Sequence, residues 1–198
     1  MQSFEDNWGS ENLKKVLKKN GVAVMPTDTI YGIVGRALAP ETVNRIYDLK
    51  KRAPEKPCII LIGNITELEK FSIHLPLEQK KMLLKYWSPD PTSNFQPGPT
   101  SIILDCIDEK FPYLHRGTKT LAIRLPAQDS LKALLVEVGP LIAPSANPEG
   151  LLPAEDIKEA KKYFGDSVDY YMDRGRIAGK PSKLIKLQKD GSVDILRD

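Results

Sequence analysis

Residues 21–32 read Gly21-Val22-Ala23-Val24-Met25-Pro26-Thr27-Asp28-Thr29-Ile30-Tyr31-Gly32. The apolar run between Gly21 and Pro26 has the length and composition of a short buried strand, and the polar triplet after it leaves the strand end into a turn. Side chains at such a point are held by a rigid element and still face an opening. Two hydroxyls, a carboxylate and turn N–H groups gathered there are what holding a small polar ligand requires. The same residue types also close turns for conformational reasons alone, so ligand binding and turn capping both stay open on this stretch.

Outward from it, Leu13, Val16 and Leu17 fall at helical spacing among lysines before a stop at Asn20-Gly21, so an amphipathic helix precedes the strand. Residues 31–35 read as extended. Pro40-Glu41-Thr42 opens a second helix carrying Val43, Ile46, Tyr47 and Leu49, which has to end near Lys51 because Pro54 and Pro57 follow. Residues 58–62 are wholly apolar between Pro57 and Gly63, the pattern of a strand buried on both faces at the centre of a sheet. Further helices are expected at 65–71, 77–87 and 130–138, and from Pro153 until just before Gly165. Strands are expected at 101–104, 120–125, 141–143, 168–172, 184–187 and 193–196. The stretch 88–99 holds four prolines and reads as a loop. Irregular alternation of strands and helices implies an α/β or α+β sheet fold, and no linker divides residues 1–198 into more than one domain.

Composition narrows the function classes. Hydrophobic residues make up 41% of the 198 and charged residues 28%, ordinary for a soluble globular chain. No apolar run reaches membrane-spanning length, and Met1-Gln2-Ser3-Phe4-Glu5-Asp6 lacks the basic and apolar segments of a signal peptide. The cytoplasm is the expected location, with no membrane contact. A formal charge of +3 is too small to diagnose nucleic-acid binding and is compatible with anionic substrates. Cys58 and Cys106 stand apart in apolar runs and read as buried thiols, while His74 and His115 read as surface residues.

Two further stretches can carry chemistry. Lys50-Lys51-Arg52-Ala53-Pro54-Glu55-Lys56-Pro57 is a cationic segment stiffened by two prolines. Lysines at a helix end also complement the helix dipole, which accounts equally well for Lys50 and Lys51. Arg52 and Lys56 suit phosphate oxygens, one as a bidentate fork and the other as a point charge. Ala143-Pro144-Ser145-Ala146-Asn147 is a second polar turn after a strand, where Ser145 and Asn147 can bond a phosphate or a base edge. Gly179-Lys180-Pro181-Ser182 has the wrong glycine spacing for a P-loop, and no GxGxxG, HExxH, GxSxG or paired-cysteine pattern is present.

Taken in order, Pro-Thr-Asp-Thr-Ile-Tyr-Gly, Lys-x-Arg, Pro-Gly-Pro, Ala-Ile-Arg-Leu-Pro and Pro-Ser-Ala-Asn resemble the YrdC family of threonylcarbamoyl-adenylate synthases, from about residue 10 to Arg197. That resemblance implies an open twisted mixed sheet with flanking helices around a positively charged cavity, in a short single-domain form. It implies condensation of L-threonine, bicarbonate and ATP, with Mg²⁺ accompanying ATP, into threonylcarbamoyl-AMP and pyrophosphate. A separate tRNA threonylcarbamoyl-transferase then completes the tRNA modification. By position, Thr29, Thr120, Arg124, Ala143 and Ser182 are expected to bind threonine. Arg52, Lys56, Ser145, Asn147 and Arg197 are expected to bind ATP. Lys50 and Arg52 are expected to act electrostatically, without a covalent nucleophile, and no protein ligand to a metal is assigned.

The chain departs from the family pattern in places. Trp87 and Pro97 are separated by residues 88–96, which reads as an inserted loop, and Lys56, Pro153 and Lys183 replace the usual Asn, small hydroxyl residue and Thr. The alternative is an RNA-binding module of the same fold that makes no adenylate and holds RNA weakly. Retention of both Lys-x-Arg and Ser-x-Asn favours the enzyme.

Overall fold

The structure is a computed structural model that describes residues 7–88 and 98–198. The expected inserted loop therefore lies outside the described residues, apart from Ser88. Among the described residues nine strands form one open mixed sheet: β1 (Ala23–Pro26), β2 (Tyr31–Arg36), β3 (Ile59–Leu61), β4 (Thr100–Asp105), β5 (Thr120–Arg124), β6 (Leu141–Ile142), β7 (Tyr170–Tyr171), β8 (Lys183–Leu187) and β9 (Val193–Arg197). Their spatial order is β7-β1-β2-β6-β3-β5-β4-β8-β9. β3 stands fifth, between antiparallel β6 and parallel β5, the central place its apolar run implies. Pro26 pairs with Tyr31 across antiparallel β1 and β2, so residues 27–30 form the turn between them.

Helices cover both faces of the sheet. On one face α1 (Glu11–Lys18) and α5 (Asp129–Val138) pack Leu13, Leu17, Leu131 and Leu135 against Ala23, Met25, Val34 and Leu61. On the other, α2 (Pro40–Lys50), α3 (Leu77–Trp87) and α6 (Ile157–Phe164) enclose Val24, Ile33, Ile60 and Ile123. Successive residues of β1 serve opposite cores because side chains alternate along a strand. Cys58 and Cys106 are both buried thiols. Among the described residues no helix is long and apolar enough to cross a membrane.

Three local expectations change. Ile65–Phe71 is a 3-10 helix, closed at its start by an Asn64/Glu67 capping box and at its end by Ser72 at φ 55°. Pro153 does not open α6, which begins four residues later because the Asp156 side chain accepts the Glu159 N–H at 2.8 Å and sets the cap there. His115 is buried, at the end of a one-turn helix α4 (Pro112–His115), and its Nδ1 accepts the Gly117 N–H at 3.1 Å.

Candidate active site

A cavity of about 380 Å³ opens where the turn after β1, the segment after α2, the start of β5 and the turn after β6 converge. Thr29, Arg52, Thr120 and Arg124 line it, as do Ala143, Ser145, Ser182 and Arg197. Lys50, Lys56 and Asn147 are not on its wall. β2 joins the two polar turns: Ile33 N–H donates to the Pro144 carbonyl at 3.0 Å and Ala146 N–H to the Tyr31 carbonyl at 2.9 Å. Distance in sequence is thereby removed by strand pairing.

Thr27 organises the first turn. Its hydroxyl donates to the Ile30 carbonyl at 2.8 Å, so its one proton is committed and its oxygen accepts from the Thr29 N–H at 3.2 Å. The Thr29 hydroxyl, 3.0 Å away, must then donate to Thr27. This leaves the lone pairs of Thr29 Oγ1 as acceptors at the cavity wall, suited to an amine or hydroxyl donor.

Below the turn lies a buried ion pair. Arg124 Nη2 is 2.9 Å from Asp28 Oδ1, with side chains only 4% and 5% exposed. The contact is off the hydrogen-bond direction, and among the described residues neither Asp28 oxygen nor Arg124 Nε has a hydrogen-bond partner. Burial pulls the Arg124 pKa down, Asp28 opposes that, and Arg197 adds to it. Arginine keeps its charge under such pressure.

The Lys-x-Arg and Ser-x-Asn stretches are bonded directly to each other. Lys50 Nζ donates to the carbonyls of Ser145 and Asn147, each at 2.5 Å, and Glu149 N–H returns a bond to the Lys50 carbonyl at 2.7 Å. Glu149 Oε2 accepts the Ala53 N–H at 2.5 Å, and Oε1 pairs with Lys56. Lys50 is 1% exposed, and burial lowers its pKa to about 8, with Cys58 opposing the shift. Its ammonium, expected to face the reacting phosphates, holds the second turn from behind. Lys56 faces Glu149, and the Asn147 amide donates to the carbonyls of Pro148 and Leu151 at 2.9 and 2.7 Å.

Two arginines reach the cavity on neutral supports. Arg52 donates from Nε to the Lys56 carbonyl and from Nη2 to the Pro57 carbonyl, both at 3.0 Å. Arg197 donates from Nε and Nη2 to the Ser182 carbonyl at 3.0 and 2.8 Å. Ser182 Oγ is in turn 2.8 Å from Ser101 Oγ. Carbonyl oxygens fix a guanidinium without neutralising it, so both stay available to an anion. Cys58 also lines the cavity, but burial pushes its thiol up and away from the reactive thiolate.

Sequence reasoning gave no role to Glu149 or to Thr118, whose hydroxyl lies 3.1 Å from that of Thr120 on the cavity wall. The signal for Glu149 was charge alone: it is the acidic residue two positions after Ser-x-Asn, complementary to the cationic segment.

A family model, named relatives and solved structures each match most of this chain. The Sua5/YciO/YrdC family model, described as telomere recombination, matches residues 15–198. The threonylcarbamoyl-AMP synthase of Hahella chejuensis is 29% identical over 184 residues, 89% of this chain and 92% of that protein. The putative threonylcarbamoyl-AMP synthase of Methanocaldococcus jannaschii is 30% identical, covering 93% of this chain and 83% of its own length. The crystal structure of P. abyssi Sua5 complexed with L-threonine superposes with a TM-score of 0.78 at 28% identity. That match covers 93% of this chain and 52% of the other, so the chain spans about half the length of that relative. From the strand-end turn to the arginine of the last strand, the chain belongs to the Sua5/YciO/YrdC family.

Proposed function

We propose that the chain is a threonylcarbamoyl-AMP synthase, condensing L-threonine, bicarbonate and ATP into threonylcarbamoyl-AMP and pyrophosphate for tRNA modification. The observation that carries this is a single cavity combining carbonyl-held arginines with a threonine turn set above a buried Arg-Asp pair. Relatives named for this activity, aligned over most of the chain, support it.

Two kinds of arginine in the cavity suit two substrates. Arg52 and Arg197, each held on carbonyl oxygens, suit the triphosphate, and Ser145 adds a hydroxyl donor on the same cavity wall. Arg124, balanced by Asp28, and the acceptor oxygen of Thr29 suit an amino acid, which brings one charge of each sign. Thr120, Ala143 and Ser182 on the same wall complete the amino-acid contacts. Lys50 acts by fixing the carbonyls of Ser145 and Asn147, and so the shape of the nucleotide end. Lys56 and Asn147 act at one remove, through Glu149 and the loop after it.

In the reaction the free amine of threonine takes up carbon dioxide derived from bicarbonate. A carbamate oxygen then attacks the α-phosphorus of ATP, and the bond to the leaving pyrophosphate breaks. Negative charge grows on phosphate oxygens, so positioning and the fixed arginines supply the catalysis, and no side-chain nucleophile is required. Mg²⁺ belongs with the triphosphate. Among the described residues the cavity wall carries hydroxyls and arginines but no carboxylate, and no cluster of acidic, histidine or cysteine side chains is suited to a resident ion. When bound, Mg²⁺ supplies charge neutralisation of the phosphates.

Delivery of the product to a separate tRNA threonylcarbamoyl-transferase in the cytoplasm belongs to the same proposal. The test is incubation of the purified chain with ATP, threonine, bicarbonate and Mg²⁺ in the absence of tRNA. Mass detection of threonylcarbamoyl-AMP is the expected result. RNA affinity with no adenylate formed overturns the proposal in favour of a binding module.

A further inference from the structure

Residues 172–182, between β7 and β8, run without regular structure across the strand-end turn. The segment is tied down along its length. The Tyr31 hydroxyl donates to the Gly175 carbonyl at 2.8 Å and accepts the Arg174 N–H at 3.0 Å, and Ile177 N–H donates to the Glu155 carbonyl at 2.7 Å. At Gly179 it lies so close to the turn that a Cβ would overlap the carbonyl oxygen of Thr29. Only glycine permits that approach.

The contact stands between two spaces. On one side is the reaction cavity, on the other a groove of about 360 Å³ lined by Asp28, Gly179, Lys180 and Lys183. Thr29 and Pro181 face both. A groove bearing one carboxylate and two lysines is polar enough to hold water, whereas a carbamate and a mixed anhydride both decompose in it.

We propose that Gly179 is a positioning residue that seals the amino-acid end of the cavity, its backbone contact with Thr29 keeping groove water from the reacting groups. This rests on the function proposed above. A breach allows water to add to the carbamoyl carbon of threonylcarbamoyl-AMP. The carbon–oxygen bond to phosphate breaks, AMP leaves, and the remaining carbamate takes a proton and releases carbon dioxide to return threonine. ATP is then consumed without product.

The experiment compares wild type with Gly179→Val and Gly179→Ala, and with Ala178→Val on the exposed neighbouring residue as control. Two quantities are read: amide hydrogen exchange at residues 27–32 without substrates, and pyrophosphate released per threonylcarbamoyl-AMP formed at early times. Faster exchange with a ratio several-fold above wild type in the Gly179 variants, and wild-type values for the control, is expected. A merely structural defect lowers both products together and leaves the ratio near unity. An unchanged ratio in the glycine variants overturns the seal, as does a raised ratio without faster exchange or an equal rise in the control. If the valine variant does not fold, the alanine variant carries the same test with one methyl. A wild-type chain that forms no adenylate refutes the function proposed above and the seal with it. A productive wild type matched by its Gly179 variants refutes the seal alone.

Discussion

Arg52 and Arg124 reach the same cavity and are held by opposite means. Arg52 rests on two backbone carbonyls, which orient it without a direct ion pair, Glu149 acting on it only through space. Arg124 rests on the carboxylate of Asp28, which cancels most of its field while leaving atoms of both groups without hydrogen bonds. An arginine on neutral supports is an anion site. An arginine on a carboxylate is a polar, nearly neutral floor, which suits a molecule carrying one charge of each sign. Under the proposed function the first kind serves phosphate and the second an amino acid, and the difference lies in what stands behind each guanidinium.

The largest effect expected from disturbing this contrast is at Asp28. Asp28→Ala leaves the Arg124 guanidinium buried without a counter-charge, at a cost of about 3–5 kcal/mol. For a chain of this size that is a fall in Tm of roughly 10 °C. Pairing it with Arg124→Met restores most of the loss. A single variant melting within about 2 °C of wild type would mean that the pair is not buried as described.

Next is Lys50→Met, which strips two charge-assisted bonds from buried carbonyls and costs about 2–3 kcal/mol at pH 7. Its pH dependence has a definite sign. The folded-state pKa of Lys50, about 8, lies below the ordinary 10.5, so between these values the unfolded chain holds a proton that the folded chain has released. Stability contributed at this site therefore rises with pH across that window and is flat on either side. Urea midpoints should show wild type gaining about 3 kcal/mol over Lys50→Met from pH 7.5 to 10.5. A difference that stays constant with pH would place the lysine in contact with water.

The smallest effect is at Lys56, whose side chain is 54% exposed and faces Glu149 at the surface. Lys56→Ala should change stability by less than about 1 kcal/mol. The ATP KM should move less than about twofold, since the amine is off the cavity wall. A tenfold rise in that KM would return Lys56 to the nucleotide.

Much of this architecture is written locally. The apolar residues 58–62 announce a central strand because burial on both faces leaves no polar positions, and the strand-turn grammar of 21–32 places Thr29 at an opening. The role of Lys50 was not legible. A lysine at a helix end looks the same whether it soothes a dipole or reaches carbonyls 95 and 97 residues further on, since only the tertiary fold supplies those partners. Gly179 was hidden for a related reason: a glycine needed for a close approach carries no mark distinguishing it from one in a loose turn. α4 was missed because a single turn gives no periodicity to read.

The division of the cavity is tested most directly by calorimetric titration of ATP and of L-threonine, separately, into wild type and Arg52→Ala. Loss of the carbonyl-held arginine should weaken ATP by about tenfold or more while leaving threonine within about twofold. Equal weakening of both ligands, or of neither, would contradict a site whose two ends are set by what stands behind each arginine.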